Sequence, residues 1–344
     1  MRDPLSFTCK RVCGAYGEQI GMIGRKSKVF IFLYLIFLVV LFLMCSTDLI
    51  IREPEKEIYK VAVIIEDVRD DNYGNFRKGM DQAAIELNAD VRFITLYEEK
   101  PNAEGQMELI DREGQDGVDG LIVAPVDERR MTEALQENRV TLPAVILGTE
   151  PVKETETGSI TIDYREMGRG LAEKIKERAP EGSTVLLVEG ACKISGAESG
   201  FLTGAAEVLE ENGYRCNFER PESEETYREM LEGLPEQGCV LVAGSPETLT
   251  EIAGFLEEDA EGCDRIAGVY GRGNTPSILN DLDSGLITGL CVTDEFSRGY
   301  FSVLMAVKEL EKAGDTKSMV MDSYYIEKKD LREPKYEKML FPVE

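Results

Sequence analysis

The sequence predicts an α/β ectodomain behind a single membrane-spanning helix, and three observations carry that reading. From Val29 to Thr47 there are nineteen consecutive uncharged residues, nearly all Val, Ile, Leu, Phe or Met. From Tyr59 onward, short apolar runs alternate with longer amphipathic ones, the pattern of parallel strands covered by helices on both faces. About ten such strands over about 285 residues exceed one sheet, so the natural division is into two α/β lobes.

The apolar run comes first. At about 1.5 Å per residue a helix of this length covers about 28 Å, close to the hydrocarbon thickness of a bilayer. Lys26 and Lys28 close it on one side, Asp48 and Arg52 on the other, and it has no polar face to turn toward a solvent. The sequence reading is a basic segment at 1–28, an anchor at 29–50, a linker at 51–58 and an ectodomain at 59–344. Six basic and two acidic side chains precede the span, whereas 33 basic and 63 acidic ones follow it. Basic flanks stay in the cytoplasm, which places the short N-terminus inside and the acidic part outside the cell membrane, as a single-pass protein. The run is long for a cleaved signal peptide and ends in Met44-Cys45-Ser46-Thr47, without the small residues of a cleavage site. A lipoprotein acylated at Cys45 is the alternative, and Met44 stands where such a site usually has Gly, Ala or Ser.

Along the ectodomain, Lys60-Val-Ala-Val-Ile-Ile65 reads as a buried strand, followed by a polar loop over 66–75 and a helix over 76–88. Strands follow at 91–96, 120–124, 144–147 and 160–162, with helices near 103–115 and 128–138 between them. A second series holds a helix at 167–178, strand 184–188, helix 200–212, strand 214–218, helix 226–234, strand 239–243, helix 247–257 and strand 265–270. Ligands of such sheets bind outside the carboxyl ends of the strands, and with two lobes the cleft between them is the expected site.

Composition narrows the function. A net charge of −26 repels polyanions, so nucleic acid is excluded as a partner. There is no histidine, which removes the commonest general base and metal ligand. Cys9 and Cys13 therefore complete no metal site, and no cofactor is implied. The five cysteines beyond the span show no framework spacing and read as buried free thiols, although Cys239 and Cys263 each precede a strand at what would be one sheet edge. Gly190-Ala-Cys-Lys-Ile-Ser-Gly196 lacks the closing Gly-Lys-Ser/Thr of a phosphate loop, and Gly271-Arg-Gly273 lacks the third glycine of a dinucleotide fingerprint and reads as a turn. No catalytic residue is assigned.

The order and spacing of seven segments resemble the type I periplasmic sugar-binding proteins, the ribose- and galactose-binding group that shares its fold with lactose-repressor effector domains. The segments are Lys60–Ile65 with the loop 70–79, Val118-Asp-Gly-Leu-Ile-Val-Ala-Pro-Val-Asp127, Leu142-Pro-Ala-Val-Ile-Leu147 and Ile160-Thr-Ile-Asp-Tyr-Arg-Glu-Met-Gly168. Gly200-Phe201, Ile266-Ala-Gly-Val-Tyr-Gly271 and Asp281-Leu-Asp-Ser-Gly-Leu-Ile-Thr-Gly289 complete the series. The resemblance covers about residues 59–330. It implies two Rossmann-like lobes joined by a three-crossing hinge, with lobe one about 59–162 and 291–318 and lobe two about 163–290 and 319–344. It also implies a small polar ligand, a sugar or polyol first, and a membrane permease of the ABC transporter type or a sensor kinase as partner.

By position, the implied ligand-binding residues are Asp71, Asn72, Tyr73, Asp127, Thr149, Asp163, Ser195, Glu198, Ser245, Tyr270, Arg272 and Asp294, within a rim that also holds Asp67, Asp70, Glu128, Lys193 and Asn274. Several depart from the family pattern. Asn72 and Tyr73 stand where two aromatics usually stack on a sugar. Glu198 replaces an arginine, Ser245-Pro246 an Asn-Asp pair, and Tyr270 an aspartate, with Arg272 two residues on. Such departures leave open a scaffold that kept the fold and lost the ligand. A tethered hydrolase is a third reading, which needs a carboxylate pair facing across the cleft.

Overall fold

The structure, a computed structural model, describes residues 25–46, 58–66, 73–96, 102–150, 157–190, 196–234, 238–258, 265–312 and 318–342. It divides into two compact units, Met1–Glu57 and Ile58–Glu344. The first contains helix α1 (Arg25–Ser46). Its stretch Lys26–Met44 has a mean hydropathy of 2.6 and no buried residue, and is long and apolar enough to cross a membrane. The expected linker falls largely outside the described residues.

The second unit opens with β1 (Tyr59–Ile64), α2 (Gly74–Leu87), β2 (Ala89–Ile94), α3 (Ala103–Gln115), β3 (Gly120–Val123), α4 (Glu128–Gln136), β4 (Ala144–Gly148) and β5 (Gly158–Ile162). It continues with α5 (Tyr164–Lys176), β6 (Thr184–Val188), α6 (Gly196–Glu211), β7 (Arg215–Glu219), α7 (Glu224–Glu232), β8 (Cys239–Ala243), α8 (Pro246–Glu258) and β9 (Ile266–Arg272). Helix α9 (Pro276–Ser284), β10 (Gly289–Thr293), α10 (Glu295–Leu310), β11 (Met319–Met321), β12 (Ser323–Ile326), a 3-10 turn (Lys328–Arg332) and α11 (Pro334–Leu340) complete it.

Two six-stranded sheets result, ordered β11-β5-β4-β3-β1-β2 and β12-β10-β9-β8-β6-β7. Every pair is parallel except β10 with β12. Period-two alternation divides each strand between two helical layers. In β1, Val61 and Val63 pack with Phe76, Met80 and Val303, whereas Ala62 and Ile64 pack with Leu109, Ile110 and Met131. In β6, Val185 and Leu187 join Leu171 and Phe201, whereas Leu186 and Val188 join Leu249 and Ile252.

The chain passes between the lobes three times, each time through an aspartate. Asp163 lies between β5 and α5, Asp294 between β10 and α10, and Asp322 between β11 and β12. The second and third crossings lie a few residues beyond the positions expected from sequence, 290/291 and 318/319. Strand β10 stays hydrogen-bonded to its own sheet as far as Thr293, and β11 still pairs with β5 of the first sheet.

The first two crossings share one local design. Asp163 (φ −78, ψ 86) and Asp294 (φ −79, ψ 84) cap the helices they open, accepting from the backbone N–H of Glu166 and Ser297 at 2.9 Å each. Five residues after each aspartate comes a glycine, Gly168 or Gly299. A Cβ on Gly168 would collide with the Phe201 carbonyl of α6, and one on Gly299 with the Phe76 carbonyl of α2. The partner helices reciprocate: Gly204 abuts the Arg165 carbonyl and Gly79 the Phe296 carbonyl. Each helix pair therefore meets backbone to backbone, through the same residue types at the same spacing.

The last helix ties the lobes together a further time. Leu331, Met339 and Leu340 belong to the core of the second sheet, yet Asn75 of α2 donates to the Leu340 carbonyl at 2.9 Å and Lys78 to the Pro342 carbonyl at 3.2 Å.

The close contacts predict opposite effects for two alanines in one helix. Gly168→Ala places a methyl group against a backbone carbonyl and is expected to lower stability by about 1–3 kcal/mol or more. Gly170→Ala meets nothing within 4 Å and is expected to raise it by about 0.5–1 kcal/mol. Urea unfolding of both variants measures the difference.

Candidate functional site

Between the lobes, at the second crossing, lies a cavity of about 120 Å³. The end of β1 supplies Glu66 and the start of α2 supplies Tyr73, both from lobe one. Lobe two supplies Tyr164 and Met167 from α5, Pro246 from α8, Arg272 to Asn274 from the end of β9, and Cys291 to Thr293 from β10. Glu295 and Arg298 of α10 complete the lining from the lobe-one side of the crossing. Strand ends and helix N-termini thus converge where the chain changes lobes.

Arg298 is 8% exposed. Its Nη1 lies 3.2 Å from Glu295 Oε2, while its Nε has no hydrogen-bond acceptor among the described residues. Burial opposes the charge, but Glu295, the neighbouring phenols and Glu66 outweigh it, so the guanidinium holds its proton more firmly than usual. Glu295 also accepts from the Thr293 hydroxyl at 2.6 Å. Arg272 donates from Nε to the Gly244 carbonyl at 2.8 Å and lies over the Tyr164 ring, 4.8 Å from its centroid. The Tyr73 hydroxyl donates to Glu66 Oε2 at 2.7 Å, and its ring meets Phe76 edge-on and Phe93 at a tilt. Burial, then Glu66, raises the Tyr73 phenol well above its ordinary value, so it remains a hydrogen-bond donor at neutral pH.

The remaining sequence-derived positions divide. Tyr73 and Arg272 line the cavity, as does Asn274 of the wider rim. Asp163, Asp294, Asp127 and Ser245 cap helices, the last two accepting from Arg130 N and Thr248 N at 3.1 and 3.2 Å. Thr149 donates from N and Oγ1 to the two oxygens of Glu128 at 2.9 and 2.8 Å. Across the cleft, a Cβ added to Gly196 at the start of α6 would come into van der Waals contact with Thr149 and Glu128. Glu198 is turned inward, 5% exposed, and accepts from Gly190 N at 2.7 Å. Asp71, Asn72 and Ser195 lie outside the described residues, as do Asp67, Asp70 and Lys193.

Tyr270 requires correction. It is buried in the core of lobe two, beside Val240, Val242 and Cys291, and does not line the cavity. Strand β9 runs two residues further than the sequence reading allowed, so Arg272, on the same face, occupies the strand end and Tyr270 sits one repeat below it. Gly271 and Arg272 belong to the strand rather than to a turn.

Sequence reasoning missed Glu66, Tyr164, Met167, Glu295 and Arg298. The signal for the last four was the repeated aspartate-plus-five-glycine spacing, which marks where α5 and α10 start. Of the cysteines, Cys216, Cys239 and Cys291 are free; burial pushes the first two thiols up to about 11 and Cys291 up to about 12. Cys192 and Cys263 lie outside the described residues.

A family model described as a periplasmic binding protein domain matches residues 61–314. The chain belongs to this family. Among solved structures of the same fold is an ABC transporter solute-binding protein from Agrobacterium vitis bound with α-D-tagatopyranose. It is 16% identical, with a TM-score of 0.69, covering 83% of this chain and 100% of the other. Another, from Burkholderia graminis in complex with D-arabinose, is 14% identical, with a TM-score of 0.70 over 81% and 98%. A third, from Bacillus halodurans with bound myo-inositol, is 16% identical, with a TM-score of 0.67 over 83% and 99%. No curated protein matches. Membership makes the large unit a periplasmic binding protein domain, of a family whose name implies an extracytoplasmic place, with the fold of these solute-binding proteins.

Glu198 yields a pH prediction. Burial raises its carboxyl above the ordinary range, against Gly190 N–H and Arg272, which favour the anion. A raised group contributes stability below its unfolded value, near 4.5, and loses it as the pH rises through the folded value. Glu198→Gln keeps an acceptor for Gly190 without a charge, so at pH 7 it is expected to be at least as stable as the parent. That advantage should shrink toward pH 4.5 in denaturant titrations run at both pH values.

Proposed function

We propose that the protein is a membrane-tethered, extracytoplasmic solute-binding protein. It takes a small polar solute between its lobes and presents the closed form to a transport permease or a sensor kinase. The observation that carries this reading is the cavity at the second crossing, lined from both lobes by strand ends and helix N-termini. Its two tyrosines, two arginines and two glutamates are groups that orient hydroxyl-rich molecules. The sugar and polyol ligands of the related structures support the same class. A hinge of three short crossings permits the lobes to open and close, and the apolar helix after a basic segment supports a tether that places the domain beside a membrane partner.

One observation favours a second reading, the ligand-free scaffold. Glu295 with Arg298, Tyr73 with Glu66, and Arg272 with Gly244 already satisfy one another in part. Thermal unfolding of the chain lacking residues 1–52, against sugars, polyols, amino acids and polyamines, separates the two. A ligand at about a hundredfold over Kd adds about 2.7 kcal/mol, a shift of several degrees in Tm. A flat panel leaves the scaffold. The tether has its own test: the full-length protein should sediment with membranes, and protease added outside spheroplasts should digest the ectodomain. Protection from that protease would reverse the orientation.

A further inference from the structure

Three crossings join the lobes covalently, and a further connection joins them by hydrogen bonds alone. Residues 340–342, at the end of α11, reach from the second lobe onto the first turns of α2. We infer that these residues form a clasp, which holds the lobes in their present relation and must release before the cleft opens fully.

The clasp is anchored at both ends. In lobe two, Met339 and Leu340 are buried in the core with Ile326 of β12 and Leu331. The ammonium of Lys335 lies 4.2 Å from the centroid of the Tyr324 ring and 5.1 Å from that of Tyr336, close enough for a cation–π attraction to both. The two rings meet edge-on, 6.2 Å apart. Tyr324 belongs to β12, two residues beyond the third crossing at Asp322. Helix α11 is therefore packed onto the strand that begins at that crossing. In lobe one, the receiving helix is held as closely. A Cβ on Gly79 of α2 would collide with the Phe296 carbonyl of α10, and one on Gly299 of α10 with the Phe76 carbonyl of α2. Helix α10 starts at the second crossing, where Asp294 caps it. The contacts thus close a ring, from the second crossing through α10 and α2, across the clasp to α11, and through β12 to the third crossing.

The clasp is the weak link of that ring. The last carbonyls of a helix have no intrahelical partner, and that of Leu340 accepts from Asn75 Nδ2 at 2.9 Å, partly shielded from solvent. The Pro342 carbonyl accepts from Lys78 Nζ at 3.2 Å on the surface, and Phe341 between them is half-exposed. Such hydrogen bonds contribute little net, because water replaces them when they break. Separating the helix pairs or stripping α11 from its core would expose buried apolar surface, which costs far more. A force that parts the lobes therefore breaks the clasp first and leaves both cores whole. The clasp also adjoins the cavity: Tyr73, in the lining, stands two residues before Asn75.

The test is an interlobe distance, measured on the full-length protein in detergent. Spin labels carried by non-canonical residues at Arg129 in lobe one and Glu225 in lobe two, both exposed, give a distance distribution by pulsed electron paramagnetic resonance. In Asn75→Ala combined with Lys78→Ala, the ratio of long to short distances should rise at least about fivefold, as expected for the loss of two hydrogen bonds. Lys78→Arg, which keeps a donor, should retain the distribution of the parent. Urea unfolding distinguishes the clasp from the cores: the double alanine variant should unfold with the m value of the parent. An unchanged distance distribution in that variant would overturn the inference. So would a lengthening accompanied by a lower m value, because the change would then lie in the folding of a lobe. Neither result depends on whether the cleft takes a solute.

Discussion

The backbone-to-backbone contact of two helix pairs is the constraint on which the rest of the molecule depends. Gly79 with Gly299 in lobe one, and Gly168 with Gly204 in lobe two, let α2 meet α10 and α5 meet α6 with no side chain between them. That closeness decides where α5 and α10 start, and so where the chain leaves one sheet for the other. Because the capping aspartate precedes each glycine by five residues, the crossing, the helix N-terminus and the first turn are positioned together. Tyr164, Met167, Glu295 and Arg298 all lie in those first turns. The lining of the cavity is thus set by packing some distance behind it.

Within the cleft, positive and negative groups are balanced and placed at different depths of commitment. Glu295 is held by two donors, whereas Arg298, its partner, retains an N–H with nothing to bond. A buried ion pair of this kind adds little to stability by itself. Its consequence is positional: the pair fixes a guanidinium and a carboxylate side by side in the cavity lining.

Much of this was legible in the residues. The β-branched runs at 60–65, 120–124, 184–188 and 239–243 are strands because they are buried on both faces, and no competing pattern obscures them. The first crossing was legible because Ile162 ends an apolar run at a capping aspartate. The later crossings were not, since β10 and β11 are short and their boundaries depend on which sheet pairs with them, which is a tertiary fact. Tyr270 was misplaced for a related reason. Gly271 and Gly273 look like a turn, whereas Gly271 is small because Leu249 and the Ala243 carbonyl press on that strand position. Arg298 lay outside the reading because a helical arginine is ordinarily taken as solvent-facing, and only packing buries it.

Strands β11 and β12 are separated by the single residue Asp322, yet one is an edge of the first sheet and the other an edge of the second. Both sheets are therefore completed by the same late stretch of chain, and α11 beyond it adds Met339 and Leu340 to the second core. Neither lobe can reach its full complement of strands until the ribosome has passed Ile326. A nascent chain arrested short of that point would hold two unfinished sheets at once, each with an open edge, so the two halves of the molecule share a single moment of maturation despite their separate cores.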